Sequence, residues 1–306
     1  MSRLERFLDS GRELLRLHRE IGDLKVNQGR ILAELHAGKS SPRLSDYEFR
    51  VFSQSGEDGI IQFLISSLRI ENRTFIEFGT EDFHESNCRF LLVKDDWSGF
   101  VIDGSERNME RLRGSAFFWR HPLACKSAFI TRENIAGLLE ESGFAKRPGI
   151  LSIDIDGVDY HVLAELRDWL PSIFIVEYNA LFGKRRAVSV PYDPMFQRGT
   201  KHHSNLYYGA SLPAFAHLLG QRNYALVGAN STGNNAFFVR RDLLNERVKE
   251  VSLAEGFRES RFREGRDRNG QLTFESANAG RRVIEDLPLI DVISGEGLKV
   301  RNLPDE

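Results

Sequence analysis

No run of apolar residues in this 306-residue chain approaches the ~20 that a membrane-spanning helix requires, so no membrane span is expected. Neither sign of charge dominates: 42 Lys and Arg stand against 44 Asp and Glu. That balance leaves no global field to draw in nucleic acid or an anionic membrane. Cysteine is nearly absent. Cys88 and Cys125 are far apart, match no metal-ligand spacing, and read as buried thiols of a reducing compartment. The charges at Arg3, Glu5, Arg6 and Asp9 interrupt any apolar core that a secretory signal would need. A soluble, cytoplasmic protein is the expectation. There is no internal repeat, and no G-x-S-x-G or Cys/His signature of covalent catalysis.

What is present is enough apolar sequence, 41% of residues, for a real core. Residues 1–38 differ from the rest. Leu14, Leu17, Ile21, Leu24, Gln28, Ile31 and Leu35 recur at alternating spacings of three and four, a heptad seam with one polar position. Gly22 and Gly29 each weaken that helix by ~1 kcal/mol relative to Ala. Two readings fit: a short coiled coil joining copies through residues 7–35, or an amphipathic helix packed on its own domain. Gly38 to Pro42 reads as a linker.

Residues 44–245 then alternate strand and helix. Strands are expected at 74–79, 99–102, 123–127, 149–153 and 172–176. Helices are expected at 54–68, 86–94, 131–142 (Thr131 as N-cap), 160–169 and 212–222. A hairpin is expected at 224–228 and 235–239, its turn rich in Asn, Ser and Gly. Residues 179–208 form a loop long enough to be functional. Residues 246–306 are a charged extension, either packed near the site or partly mobile. The expected fold is α/β and Rossmann-like: seven strands, mostly parallel, helices on both faces, one antiparallel strand from the hairpin.

The stretch FIEFGTEDFHESN, Phe75 to Asn87, carries most information. A short apolar strand that ends in Glu77-Phe78-Gly79 and enters a polar loop looks like the first strand and turn of a nucleotide-binding sheet. Ligands in such sheets bind beyond the carboxyl ends of the strands. Yet G-x-G-x-x-G is missing, because Thr80, Glu81 and Asp82 follow Gly79. A pyrophosphate needs close backbone approach, and these carboxylates would repel it. A cationic, phosphate-free ligand such as S-adenosylmethionine suits the loop better.

In order, SQSGEDGII (53–61), FIEFGTED (75–82) with Ser86-Asn87, WSGFVIDGS (97–105) and LSIDIDGVDY (151–160) resemble the FkbM-type S-adenosylmethionine-dependent methyltransferases. The resemblance covers roughly residues 47–240. It implies transfer of a methyl group to a hydroxyl of a sugar, polysaccharide or secondary metabolite. The chain departs from the family in its first loop: the second glycine of acidic-x-Gly-x-x-x-Gly is absent, and His84 stands near its place, after Asp82 and Phe83.

With that cofactor in view, Asp103 at the end of the second strand would take the ribose diol, with Ser105 beside it, about 24 residues past Gly79 against the ~20 of dinucleotide folds. Its other reading is a turn or helix cap. Glu77 and Gly79 would line the methionine end and Asn87 would bind the amino-acid part. Gln54, Gly56 and Glu57 would close the far side, or simply start a helix. Asp154 and Asp156 follow the fourth strand, and Glu177 and Asn179 follow the fifth. Adjacent strands lie ~4.8 Å apart, so these oxygens converge as a hard divalent ion such as Mg²⁺ requires. Metal-dependent sugar O-methyltransferases use acids at the ends of the same strands. The alternative makes Asp154 the general base, or a partner of the methionine amine. His202 and His203 are further base candidates, or an exposed basic turn. Asp159, Tyr160, Tyr192, Tyr207 and Tyr208 are candidates for acceptor binding, although aromatics are as often core.

IDIDG also resembles the D-x-D motifs of haloacid-dehalogenase-type phosphatases and of glycosyltransferases. In those phosphatases it ends the first strand, here the fourth. Base modification of nucleic acid would call for an N-P-P-Y-type motif in this place. A methyltransferase-like scaffold that assembles through the N-terminal helix is the non-catalytic alternative.

Overall fold

Along the first strand, Phe75, Ile76, Glu77 and Phe78 point alternately to opposite faces, and both faces are buried. That pattern requires helices on each side of the sheet. The computed structural model describes residues 3–304. Met1, Ser2, Asp305 and Glu306 lie outside the described residues, as do the side chains of 3–10, Leu15 and His18, which include the start of the expected 7–35 face.

A long helix, α1 (Arg3–Ala37), precedes α2 (Glu57–Ser67), β1 (Thr74–Phe78), α3 (Arg89–Asp95) and β2 (Ser98–Asp103). Then come α4 (Glu106–Arg113), β3 (Leu123–Ser127), α5 (Ile135–Glu140), β4 (Ile150–Ile153), α6 (Asp159–Glu165) and β5 (Ile173–Glu177). The expected long loop contains a two-residue strand, β6 (Val188–Ser189), and one helical turn, α7 (Arg198–Lys201). α8 (Leu212–Gly220), β7 (Tyr224–Ala229) and β8 (Asn235–Arg240) complete the main sheet. The remaining segment holds α9 (Leu253–Gly256), α10 (Ala277–Val283), β9 (Pro288–Asp291) and β10 (Gly297–Lys299).

The main sheet has seven strands in the order β3-β2-β1-β4-β5-β8-β7. β1 to β5 are parallel, and β8 runs antiparallel between β5 and β7. This is the expected Rossmann-like fold, with its topological switch between β1 and β4. On one face, α2, α3 and α4 pack Ile60, Leu64, Leu91 and Met109 against Phe75, Val101, Ile150 and Ile175. On the other, α5, α6 and α8 pack Leu139, Val162 and Phe215 against Ile76, Ile102, Leu151 and Phe174. A second sheet, β10-β9-β6, joins the C-terminal segment to the loop after β5.

Several helices are shorter than expected. Thr131 does not cap α5: its N–H donates to Asn134 Oδ1, its carbonyl accepts from the Asn134 and Ile135 N–H groups, and the helix begins only at Ile135. α4 was not expected, because its apolar residues are only Met109 and Leu112 among charges. α1 packs through Val26, Gly29, Leu32 and Ala33 on Phe49, Val51 and Phe90.

Candidate active site

The carboxyl ends of β1, β2, β4 and β5 open into one cavity of about 500 Å³. Eight of the expected residues line it: Gln54, Glu77, Gly79, Asn87, Asp103, Asp154, Asp156 and Glu177.

Glu77 leaves β1 as a buried carboxylate among donors. Its Oε1 accepts from the Asn87 N–H at 2.8 Å, and its Oε2 from the Ser86 hydroxyl at 2.6 Å and the Cys88 N–H at 3.2 Å. Glu77 thus anchors the 86–88 turn and presents Asn87, whose side-chain amide donates to Ser152 Oγ. Burial outweighs these donors and pushes the Glu77 pKa up to about 7. Gly79 has φ +69°, and a Cβ there would sit 1.6 Å from the Asp154 carbonyl oxygen. The glycine therefore serves first the close approach of the β1 and β4 loops. At the place of the absent second glycine, Phe83 itself takes φ +63° and is fully buried. Packing against Phe75 and Phe117 holds it there. His84 lies beside it, exposed, next to Asp82.

Asp103 ends β2. Its Oδ2 accepts from the Glu81 N–H at 2.9 Å and its Oδ1 from the Ser105 N–H at 2.8 Å. These fix the carboxylate at the cavity wall, and each oxygen keeps a further lone pair. Ser105 caps α4 through the Asn108 N–H and does not line the cavity.

Asp154, Asp156 and Glu177 offer oxygens that all lie within 4.8 Å of one another. Glu177 is 8% exposed, and its Oε2 has no hydrogen-bond partner. Its Oε1 accepts weakly from the Tyr208 hydroxyl at 3.5 Å. Burial, then the neighbouring carboxylates, drives both the Asp154 and Glu177 pKa values well above the usual range. Two such groups share a proton rather than ionise together. Asn235, opposite Glu177 in the β5–β8 register, adds a second buried acceptor without a partner, Oδ1. An all-oxygen donor set with an orphaned carboxylate oxygen fits a hard divalent cation.

The other expected residues lie off the cavity wall. Asn179 spends its amide on the Leu206 and Tyr208 carbonyls and its Oδ1 on the Leu181 N–H, so it braces the loop. Asp159 is fully buried and accepts from the Ile155 and Gly157 N–H groups, folding the Asp-Ile-Asp-Gly turn. Burial raises its pKa to about 6. Glu57 binds Asn230 and Asn235 and ties the hairpin turn to α2, while Gly56 is the left-handed N-cap of that helix. His202 contacts Ser204 and His203 is exposed, because α7 turns both away. Tyr192 binds Glu133, Tyr160 packs beside Phe215, and Tyr207 bonds the Pro288 carbonyl. Tyr208 alone among these tyrosines touches the acidic cluster.

What the loop does bring to the cavity is Phe196 and Arg198. Arg198 pairs with Asp156 and Glu264 and lies over the Tyr208 ring, 3.8 Å from its centroid. Burial opposes its charge, but Tyr208, Asp156, Glu177 and Glu264 together raise its pKa. Phe262 and Glu264, from the C-terminal segment, and Phe129, after β3, also line it. No local pattern marks these residues; only the fold collects them.

No family model matches the chain, and no curated protein matches it. Solved structures overlap it in part. The CurJ carbon methyltransferase shares 9% identity over 60% of this chain and 52% of its own, at TM-score 0.38. This chain thus spans about half of that structure's length. A putative O-methyltransferase from Klebsiella pneumoniae shares 12% over 55% of this chain and 72% of its own, at 0.36. The N-terminal domain of EvdMO1, with SAH bound, shares 12% over 72% of this chain and 94% of its own, at 0.39.

Proposed function

We propose that this protein is an S-adenosylmethionine-dependent O-methyltransferase of FkbM type, acting on a hydroxyl of a sugar, polysaccharide or secondary metabolite. The observation that carries the reading is the pairing, in one cavity, of Asp103 at the β2 end with the Asp154–Glu177 pair at the β4 and β5 ends. A ribose diol needs a fixed acceptor carboxylate, and Asp103 is one. The loop after β1 is acidic and repels phosphate, which suits a sulfonium cofactor. Asn87, held by Glu77, faces the methionine end.

Methyl transfer is an in-line displacement, so the chain must align two reactants and accept one proton. The ionised member of the Asp154–Glu177 pair takes the hydroxyl proton. Phe196 and Phe129 give the cavity an apolar wall beside the acidic cluster. Asp154, Asp156 and Glu177 would hold a divalent cation, which when bound lowers the pKa of a coordinated hydroxyl. Binding it requires the pair to lose its shared proton, so metal affinity rises with pH.

The test is calorimetric titration with S-adenosylmethionine, with and without Mg²⁺, on the wild type and Asp103→Ala. Micromolar binding that weakens roughly 10- to 100-fold in the variant supports the reading, as loss of charge-assisted hydrogen bonds predicts. A folded wild type that binds nothing overturns it and favours the scaffold.

A further inference from the structure

Helix α1 has two apolar faces, and the domain uses only one. Val26, Gly29, Leu32, Ala33 and His36 are buried or half-buried against the domain. A Cβ on Gly29 would meet Val51 Cγ2 at 2.4 Å and Phe90 Cζ at 2.8 Å, which shows how closely that face docks. The heptad seam points the other way. Leu14, Leu17, Ile21, Leu24, Ile31 and Leu35 are between 48% and 72% exposed. With Leu14 as position a, Val26 and Ala33 are f, Gly29 and His36 are b and Leu32 is e, so the docked face centres on b and f and borders the a/d seam at Leu32. Packing on the domain therefore leaves the aliphatic a and d side chains exposed.

We infer that this seam joins α1 to α1 of a second copy as a parallel, two-stranded coiled coil. Three observations select that occupant. First, six large aliphatic side chains spaced at a and d make the self-complementary stripe that a two-fold pair requires, over a helix about 52 Å long at 1.5 Å per residue. Second, Gln28 is the single polar a position. A parallel pair sets Gln28 against Gln28, so two amides meet each other, whereas an antiparallel pair sets it against aliphatic side chains. Third, the flanking charges fit the parallel arrangement. Glu13, Glu20 and Glu34 occupy g positions and Lys25 an e position. Parallel strands place Glu20 of one copy beside Lys25 of the other, while antiparallel strands place g beside g, acid against acid. The existing Arg16–Glu20 pair is 2.9 Å long but exposed on both sides, so it yields easily to the new partner. The domain docks mainly on the b and f side of the helix, away from the a and d side chains.

The experiment is sedimentation equilibrium on the full chain, alongside Leu24→Glu/Ile31→Glu. The wild type is expected at twice the 34.9 kDa chain mass, and the double variant at the single mass with an unchanged melting profile for the αβ domain. Gln28→Cys, oxidised, is expected to give a covalent dimer on a non-reducing gel. The control is the wild type, whose Cys88 is buried and whose Cys125 is half-buried, so that any cross-link through Cys125 shows there as well. Lys25→Glu should weaken the dimer at least several-fold, and Glu20→Lys mixed with Lys25→Glu should restore pairing. A wild type that is monomeric at every concentration overturns the inference and leaves the face to another protein. A trimeric mass, or no Gln28→Cys cross-link, overturns the parallel two-stranded form.

Discussion

Glu77 shows how a single carboxylate couples the site to pH. Its folded-state pKa of about 7 lies above the ordinary 4.5, so the fold holds its proton more tightly than the unfolded chain does. The stability it contributes is complete below about pH 4.5 and is lost as the pH rises towards 7. The shift corresponds to a change on the order of 3 kcal/mol. Urea melts of Glu77→Gln across that range should show a flatter pH profile than the wild type; an unchanged slope would remove Glu77 as its source. At the acidic cluster, the raised Asp154 and Glu177 values mean that ionising both at neutral pH costs stability. Asp154→Asn should therefore raise the unfolding free energy at pH 8 by roughly 1–2 kcal/mol, while abolishing the proposed methyl transfer in an activity assay. A variant that is both less stable and fully active would count against the shared-proton pair.

At the scale of elements, two glycines set how segments meet. Gly79→Ala places a methyl group on the Asp154 carbonyl and forces a left-handed φ on an L residue. Its cost should be at least about 2 kcal/mol, read as a lower urea midpoint. Gly29→Leu should push α1 off Val51 and Phe90 at a cost of roughly 1–3 kcal/mol. In hydrogen exchange, protection should then fall across residues 23–37 and persist in β1, β4 and β5. The strands themselves were legible in the sequence because each is a short apolar run closed by a polar turn. Short helices such as α4 and α7 were not, because charged, four- to eight-residue segments carry almost no period. The same holds for β6, two residues paired with a strand a hundred positions away.

At the scale of the whole molecule, the segment after residue 245 is part of the core. Val248, Phe257, Ile284, Leu289, Val300 and Leu303 are buried, and Tyr178 donates to the Arg258 carbonyl at 2.8 Å. At about 1.5–3 kcal/mol for each buried side chain, these six contribute as much as the whole ~5–15 kcal/mol that holds a domain together. A chain ending at residue 245 should lack a cooperative thermal transition by circular dichroism. A transition matching that of the full chain would make the segment an appendage. Among the described residues, no helix is long and apolar enough to cross a membrane.

By itself, the sequence determined the strand segments, a mostly parallel sheet, and the carboxylates at the ends of β1, β2, β4 and β5. These are local facts: an apolar run makes a strand, and in a parallel sheet the next polar residue stands at its carboxyl edge. Tertiary structure decided which polar residues face the cavity. Asp154 and Asp159 share one motif, yet backbone N–H groups claim Asp159 while Asp154 stays on the wall. His202 and His203 turn outward and Arg198, four residues earlier, turns in. Such choices depend on which buried donors each side chain must satisfy, and those donors come from segments far apart in the chain.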